Sequence, residues 1–261
     1  MKKIKSEYLR SIRSIPHFSL IRSAELTLLS YYIDKENGPF LDLGCGDGNF
    51  GMSLGLNEIY GIDIDAQAIK KAVKNGYKAA LHADASEIPF SATYFSTVFS
   101  NCAIEHMDAL SDVLKEVNRV LKGHGKFIFT VPTRGFMESL KQDEILKGIG
   151  LNRDEHIDAY NIFHHHVNIH DLGEWKSILE RAGFVLMNHE YYLPGEIGGF
   201  VARMDMLHTI EVAESKELLK KLEKRYRSFV GLPFRVKGKK YLRNPHCNED
   251  GTHLLLVAEK S

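Results

Sequence analysis

The sequence is poor in cysteine, with only Cys45, Cys102 and Cys247 among 261 residues. Three widely spaced thiols fit neither a disulfide framework nor a Cys-x-x-Cys metal knuckle, so a reducing compartment is expected. Net charge is also absent: 34 basic residues balance 34 acidic ones, and the total points to no polyanionic partner. No apolar run approaches the roughly 20 residues that cross a bilayer. The opening Met1-Lys-Lys-Ile-Lys5 leads into no apolar stretch of the secretory kind, and a cytoplasmic location is expected. Internal repeats and low-complexity tracts are missing.

What is present is an ordinary globular composition, 44% hydrophobic and 26% charged. The length suits one large α/β domain, or such a domain with an insertion. Charge is distributed unevenly. Ten basic residues between Lys220 and Arg243 are opposed only by Glu223, which leaves the rest of the chain correspondingly acidic.

Residues 1–37 read as a helical segment, with a break at Pro16 and apolar positions at Ile21, Leu28, Leu29 and Tyr32. From Phe40 onward, short apolar runs alternate with amphipathic stretches. Phe40–Gly44, Asn57–Asp65, Tyr77–His82, Thr93–Asn101 and Lys126–Pro132 read as strands. Asp65–Gly76 is a charged helix with an Asn-Gly stop, and Leu110, Val113, Leu114, Val117 and Leu121 keep a helical period. Alternation at this spacing predicts a parallel sheet with helices on both faces. A long histidine-rich connection spans 134–169. A helix over Asp171–Ala182, stopped by Gly183, and a strand over Phe184–Leu193 follow. Residues 195–250 read as an insertion with a long helix from about Arg203 to Phe229, and His253–Lys260 as the final strand. The expected architecture is Rossmann-like: seven mostly parallel strands, a core over 38–194, a helical, basic insertion over 195–250, and the last core strand in 251–261.

The strongest local signal is Leu41-Asp42-Leu43-Gly44-Cys45-Gly46-Asp47-Gly48-Asn49-Phe50-Gly51, a strand entering a glycine-rich turn before a helix. Glycines there permit positive φ and close approach of a ligand. Gly46-x-Gly48-x-x-Gly51 matches the dinucleotide fingerprint, with Asp63 or Asp65 at the offset of a ribose-binding acid. Asp42, reinforced by Asp47, argues otherwise. A carboxylate at the strand end opposes the pyrophosphate such a loop would hold. It suits a ligand carrying an ammonium and a sulfonium.

Asp42-Leu-Gly44-Cys-Gly46-Asp-Gly48 resembles motif I of class I S-adenosylmethionine-dependent methyltransferases. Gly61-Ile-Asp63 resembles the second motif, His82-Ala-Asp84-Ala85 the adenine-capping segment, and Phe95–Asn101 with Glu105-His106 the fourth motif. Arg119–Gly125 resembles the helix–glycine–strand segment, with Gly123 in place of the usual Pro. The series covers residues 40–132 and is most similar to the type 11 small-molecule group. The resemblance implies S-adenosylmethionine as cofactor and S-adenosylhomocysteine as product. It places Asp42, Gly44, Cys45, Gly46 and Asn101 around the methionine moiety. Asp63 would grip the ribose hydroxyls, Ile64 would pack on the adenine face, and Asp84 and Ala85 would meet the adenine edge. Asp47 and Asp65 read as helix-cap acids.

Methyl transfer is an in-line displacement in which the cofactor supplies the electrophile, so the protein chiefly aligns and desolvates. A base is needed only where the acceptor must lose a proton, and His106 is the candidate. His164, His165, His166 and His170 suggest a metal, but neighbouring side chains on an extended segment point to opposite faces, and no metal is expected. Tyr160 and His166 are assigned to the acceptor pocket. The expected acceptor is a small molecule, anionic or aromatic, methylated at O, N or C, with the chain a monomer or homodimer. RNA, bound through the basic insertion with its interleaved aromatics, ranks below it. A non-catalytic cofactor-binding protein is the third reading.

Overall fold

The computed structural model describes residues 16–141, 160–162, 164–195, 197–202, 204–205, 245–247 and 251–261. The chain enters through helix α1 (Pro16–Tyr32), then alternates β1 (Phe40–Leu43), α2 (Asn49–Ser53), β2 (Ile59–Asp63), α3 (Ala66–Asn75), β3 (Ala79–His82) and β4 (Phe95–Asn101). A 3₁₀ turn at Ile104–His106 leads to α4 (Leu110–Val120), β5 (Leu121–Pro132) and α5 (Arg134–Lys141). Helix α6 (Leu172–Arg181), β6 (Phe184–Pro194), the two-residue β7 (His246–Cys247) and β8 (Gly251–Lys260) complete the order.

The sheet runs β3-β2-β1-β4-β5-β8-β6-β7. Strands β1 to β5 pair in parallel, and β8 is antiparallel to both β5 and β6. The seven expected strands are therefore present, with short β7 added against β6 at the edge. Strand β5 begins five residues earlier than its apolar run, at Leu121, because a register shift opposite Phe95 absorbs the glycine segment.

Side-chain alternation puts a separate core on each face. On β8, Leu255 and Val257 join the cluster that buries α1 and α3. Leu254, Leu256 and Ala258 join the one containing Trp175 and Leu179 of α6 and Val113, Leu114 and Val117 of α4. Local signals set the helix limits. The Asp65 carboxylate caps α3 by accepting the Gln67 and Ala68 amides at 2.7 and 3.2 Å. Gly76 ends it at φ 115°, a left-handed conformation that glycine adopts without Cβ strain. Asp171 and Glu174 form a capping box on α6. No helix among the described residues is long and apolar enough to cross a membrane. The basic cluster of 220–243 and nearly all of the expected helix over 203–229 lie outside the described residues.

Candidate active site

The carboxyl ends of β1, β2 and β4 open onto one crevice, where open α/β sheets bind ligands. The glycine turn after β1 is its floor. Gly44, Gly46 and Gly48 all have positive φ, at 75°, 52° and 77°. A Cβ on Gly46 would meet nothing within 4 Å, so that position faces open space. A Cβ on Gly51 would lie 2.0 Å from Tyr77 Oη and 2.5 Å from Asp42 Oδ2, so the turn closes only with glycine there.

The acids around the turn are preset by local hydrogen bonds. Asp42 is buried, and Tyr77 donates to its Oδ2 at 2.5 Å. Burial pushes its pKa up to about 7 and the Asp63 charge raises it, against the lowering effect of the Tyr77 bond. Asp63 Oδ2 accepts the Gly46 amide at 2.7 Å and Oδ1 accepts the Asp65 amide at 2.8 Å. The β2 acid thereby fixes the glycine turn as well as facing the crevice. Ile64 is 73% exposed, an apolar face offered to solvent beside it. Asp84 Oδ1 accepts both the amide and hydroxyl of Ser86, at 2.8 and 2.7 Å, and these bonds hold its carboxyl below the usual range. Half of the Asp84 acceptor capacity is thus spent locally, and Ala85 is half-buried next to it. Cys45 is a buried free thiol, raised by burial. Asp47 accepts from the Asn49 amide and side chain, but the cap of α2 is Gly48, so Asp47 braces the turn and is not the expected helix cap.

On the other side of β1 the crevice is built from distant parts of the chain. Glu25 of α1 has no exposed surface. Its carboxylate accepts from Arg22 Nη1 at 2.6 Å, Asn101 Nδ2 at 3.0 Å, Cys102 Sγ at 3.1 Å and Tyr192 Oη at 3.2 Å. Burial alone would raise its pKa, but the Arg22 charge and these hydrogen bonds win and lower it. Thr130 donates to Asn101 Oδ1 at 3.1 Å, so Asn101 is fixed at both ends of its amide. Cys102 is held at φ 46°, a strained conformation for a side-chain-bearing residue that neighbouring contacts must enforce. Its amide donates to the Thr130 carbonyl.

The 3₁₀ turn after β4 carries Glu105 and His106, and the histidine segment lies directly on it. The amides of Val167 and Asn168 donate to the Glu105 carbonyl at 2.9 and 3.1 Å. Asn168 Nδ2 donates to the carbonyls of Ile104 and Met107 at 3.0 and 2.6 Å. His106 and His166 stack with ring centroids 5.0 Å apart, and Tyr160 lies 5.6 Å from the His166 ring. Burial lowers the His106 pKa, and that of His166 to about 3. It raises Glu105 to about 8. Tyr160 donates to Asp205, so its hydroxyl is anchored to the insertion. The segment is not the extended one expected: His164 is helical and His165 a turn residue at φ 52°, yet the His164 and His166 rings still stack while exposed His165 pairs with Asp108 at 3.0 Å.

Glu25, Arg22, Tyr77 and Tyr192 carry no motif in the sequence that marks them for the site. A lone acid within the apolar stripe of α1 was a readable signal for Glu25. Nothing local in the sequence pairs it with Asn101 and Tyr192, 76 and 167 residues away.

Residues 41–129 match the family model described as a methyltransferase domain. A malonyl-(acyl-carrier protein) O-methyltransferase of Enterobacter lignolyticus (strain SCF1) is 30% identical over 139 residues, covering 50% of this chain and 55% of that one. The chain spans about half the length of the curated relatives it matches. Among solved structures, an S-adenosylmethionine-dependent methyltransferase of Thermotoga maritima, titled a possible histamine N-methyltransferase, superposes with a TM-score of 0.59. It is 15% identical, with 99% of this chain and 100% of that one covered. A phosphoethanolamine N-methyltransferase of Haemonchus contortus bound to S-adenosylmethionine gives 0.57 at 19% identity, over 89% of this chain and 51% of that one. Likeness at such identities speaks for the fold alone. Residues 41–129 thus match a methyltransferase domain, and the chain shares the fold of the S-adenosylmethionine-dependent methyltransferases on which it superposes.

Proposed function

We propose that this chain transfers the methyl group of S-adenosylmethionine to a small-molecule acceptor by in-line displacement at the sulfonium-bound carbon. The observation that carries the reading is the glycine turn. Three alternate glycines of positive φ leave open space above Gly46, and carboxylates rather than cations surround it. An acid-lined cradle attracts the ammonium and sulfonium of this cofactor and repels a diphosphate. Gly44, Cys45 and Gly46 line the methionine moiety, with Asp42 beneath and Asn101 at its side. Asp63 accepts the ribose hydroxyls, Ile64 covers one adenine face, and Asp84 and Ala85 meet its edge.

The acceptor enters from the histidine side, where His166 and Tyr160 form the wall. His106 is the general base for an acceptor that must lose a proton. Burial favours its neutral form, and its Nδ1 lies 3.3 Å from the His165 carbonyl. With the proton on Nδ1, the Nε2 lone pair is free to accept. The protein supplies alignment and exclusion of water.

The test is thermal unfolding with S-adenosylmethionine, S-adenosylhomocysteine or NAD. The first two are expected to raise the melting temperature and NAD to leave it unchanged. Equal stabilisation by NAD would overturn the reading.

A further inference from the structure

We propose that Glu105, His106 and His166 form a site for one divalent transition-series cation, such as Zn²⁺ or Mn²⁺, on the acceptor side of the crevice. The three side chains each offer a ligand atom, and these atoms all lie within 4.8 Å of one another. Bonds of about 2.0–2.2 Å to nitrogen and carboxylate oxygen set tetrahedral donor separations of roughly 3.4 Å. Small side-chain rotations close the remaining distance.

Two orphaned atoms point to a missing partner. Glu105 is 2% exposed, yet its Oε2 has no hydrogen-bond partner among the described residues, and buried His166 Nδ1 has none either. Buried polar atoms are nearly always satisfied, and an unpaired one invites a bound ion as its explanation. The only ionic neighbour of Glu105 within the trio is His106 Nε2, 3.8 Å from Oε1, too far for a hydrogen bond. The trio therefore places donors around a common point without satisfying them by each other.

Its supports resemble those of a metal centre. His106 Nδ1 faces the His165 carbonyl at 3.3 Å, the outer contact that commonly fixes a ligating imidazole with its other nitrogen bare. The four hydrogen bonds from Val167 and Asn168 fix the histidine segment on the 3₁₀ turn, so the two halves of the site are preassembled. Two imidazoles and one carboxylate suit Zn²⁺, Mn²⁺ or Fe²⁺ better than Mg²⁺ or Ca²⁺, which prefer all-oxygen shells. Three protein ligands leave a coordination position open, and the His106 side chain is 38% exposed, so the site is not sealed from solvent.

The open position gives the ion a role, which rests on the methyl-transfer reading above. With the cation bound, the His106 Nε2 lone pair is a ligand and the ion takes over the task given to that histidine as a base: an acceptor hydroxyl bound to the cation loses its proton to solvent more readily. The resulting oxygen lone pair forms the C–O bond while the C–S bond breaks. The bonding electrons return to sulfur, which leaves as the neutral thioether. The acceptor class is then a hydroxyl compound that ligates the cation through the oxygen to be methylated.

The test strips the full chain with a chelator and titrates it with Co²⁺, following visible d–d absorption, with Zn²⁺ as competitor. One ion per chain is expected, displaced by Zn²⁺. Glu105→Gln and His166→Asn should each weaken binding at least about a hundredfold, beyond the 10–100-fold loss of supporting contacts alone, while His124→Asn leaves it unchanged. X-ray absorption of the Zn²⁺-loaded wild type, expected to show imidazole ligands, keeps the proposal testable should a variant fail to fold. Absence of Co²⁺ bands, equal binding by the variants, or a shell without imidazole would each overturn the site. Stabilisation by S-adenosylhomocysteine is measured in parallel. Its loss in the wild type with metal binding intact would overturn the methyl-transfer reading and, with it, the role given to the ion, but not the site.

Discussion

The crevice has two halves that differ in how their polar groups are satisfied. On the glycine-turn side, Asp63, Asp65, Asp47 and Asp84 each accept from backbone amides within a few residues or from the adjoining turn. On the histidine side, Glu25 of α1 takes partners from β4 and β6, and Glu105 of the 3₁₀ turn meets His166 from the segment before α6; Glu105 and His166 keep unpartnered buried atoms among the described residues. A locally closed network is preformed and shaped for one cofactor. A network assembled from afar, and left partly open, is one that a ligand completes.

The comparison is broken hardest at Arg22. Arg22→Met leaves the fully buried Glu25 without its cation, and uncompensated buried charge costs roughly 3–5 kcal/mol. Urea unfolding is expected to show that loss, and an effect below about 1 kcal/mol would make Glu25 an ordinary surface-like pair. Next comes Gly51→Ala, whose Cβ must displace Tyr77 or Asp42. Overpacking of this kind costs about 1–3 kcal/mol, and calorimetry should find S-adenosylhomocysteine binding lost along with it. Unchanged binding would mean that the Tyr77–Asp42 contact is not part of the cradle.

Asp63→Asn sharpens the comparison because one carboxylate serves both the turn and the ligand. Asparagine can accept only one of the Gly46 and Asp65 amides, turns its NH2 toward the other and loses the charge, so affinity is expected to fall about 10–100-fold, the size of one or two charge-assisted hydrogen bonds. The unliganded melting temperature should fall modestly as well, and an unchanged affinity would remove Asp63 from the cradle. The smallest effect is in pH dependence. Asp42 titrates from 3.8 when exposed to about 7 in the fold, so the native state holds a proton that the unfolded chain has lost. Stability from this group is complete below pH 4 and falls as pH rises to about 7. Asp42→Asn, which keeps an acceptor for Tyr77, should flatten that part of the melting profile. An unaltered slope would show that Asp42 is ionised throughout.

Legibility followed the same division. Asp42, Gly44, Gly46 and Asp63 sit at strand ends whose order the alternation of apolar runs already gave, and the caps at Asp65 and Gly76 stand where their residue types put them. The acceptor side was only partly readable. His106 and His166 carry separate signals in the sequence, but the 164–166 segment turns rather than extends, and nothing in its spacing points to a meeting with Glu105, about 60 positions earlier in the chain. Hydrogen bonds to the Glu105 carbonyl from Val167 and Asn168 make that meeting, and no periodicity encodes them.

The sequence by itself determined the sheet, its two apolar faces and the glycine turn, because these depend on interactions between residues close in the chain and on side-chain periods of 2 and 3.6. Only the tertiary structure decided that α1 delivers a buried carboxylate to Asn101 and Tyr192, that Tyr77 holds Asp42, and that two histidines converge on Glu105. Those contacts join segments whose separation along the chain carries no local signal, and they exist because packing on a twisted sheet leaves those side chains no other place to go.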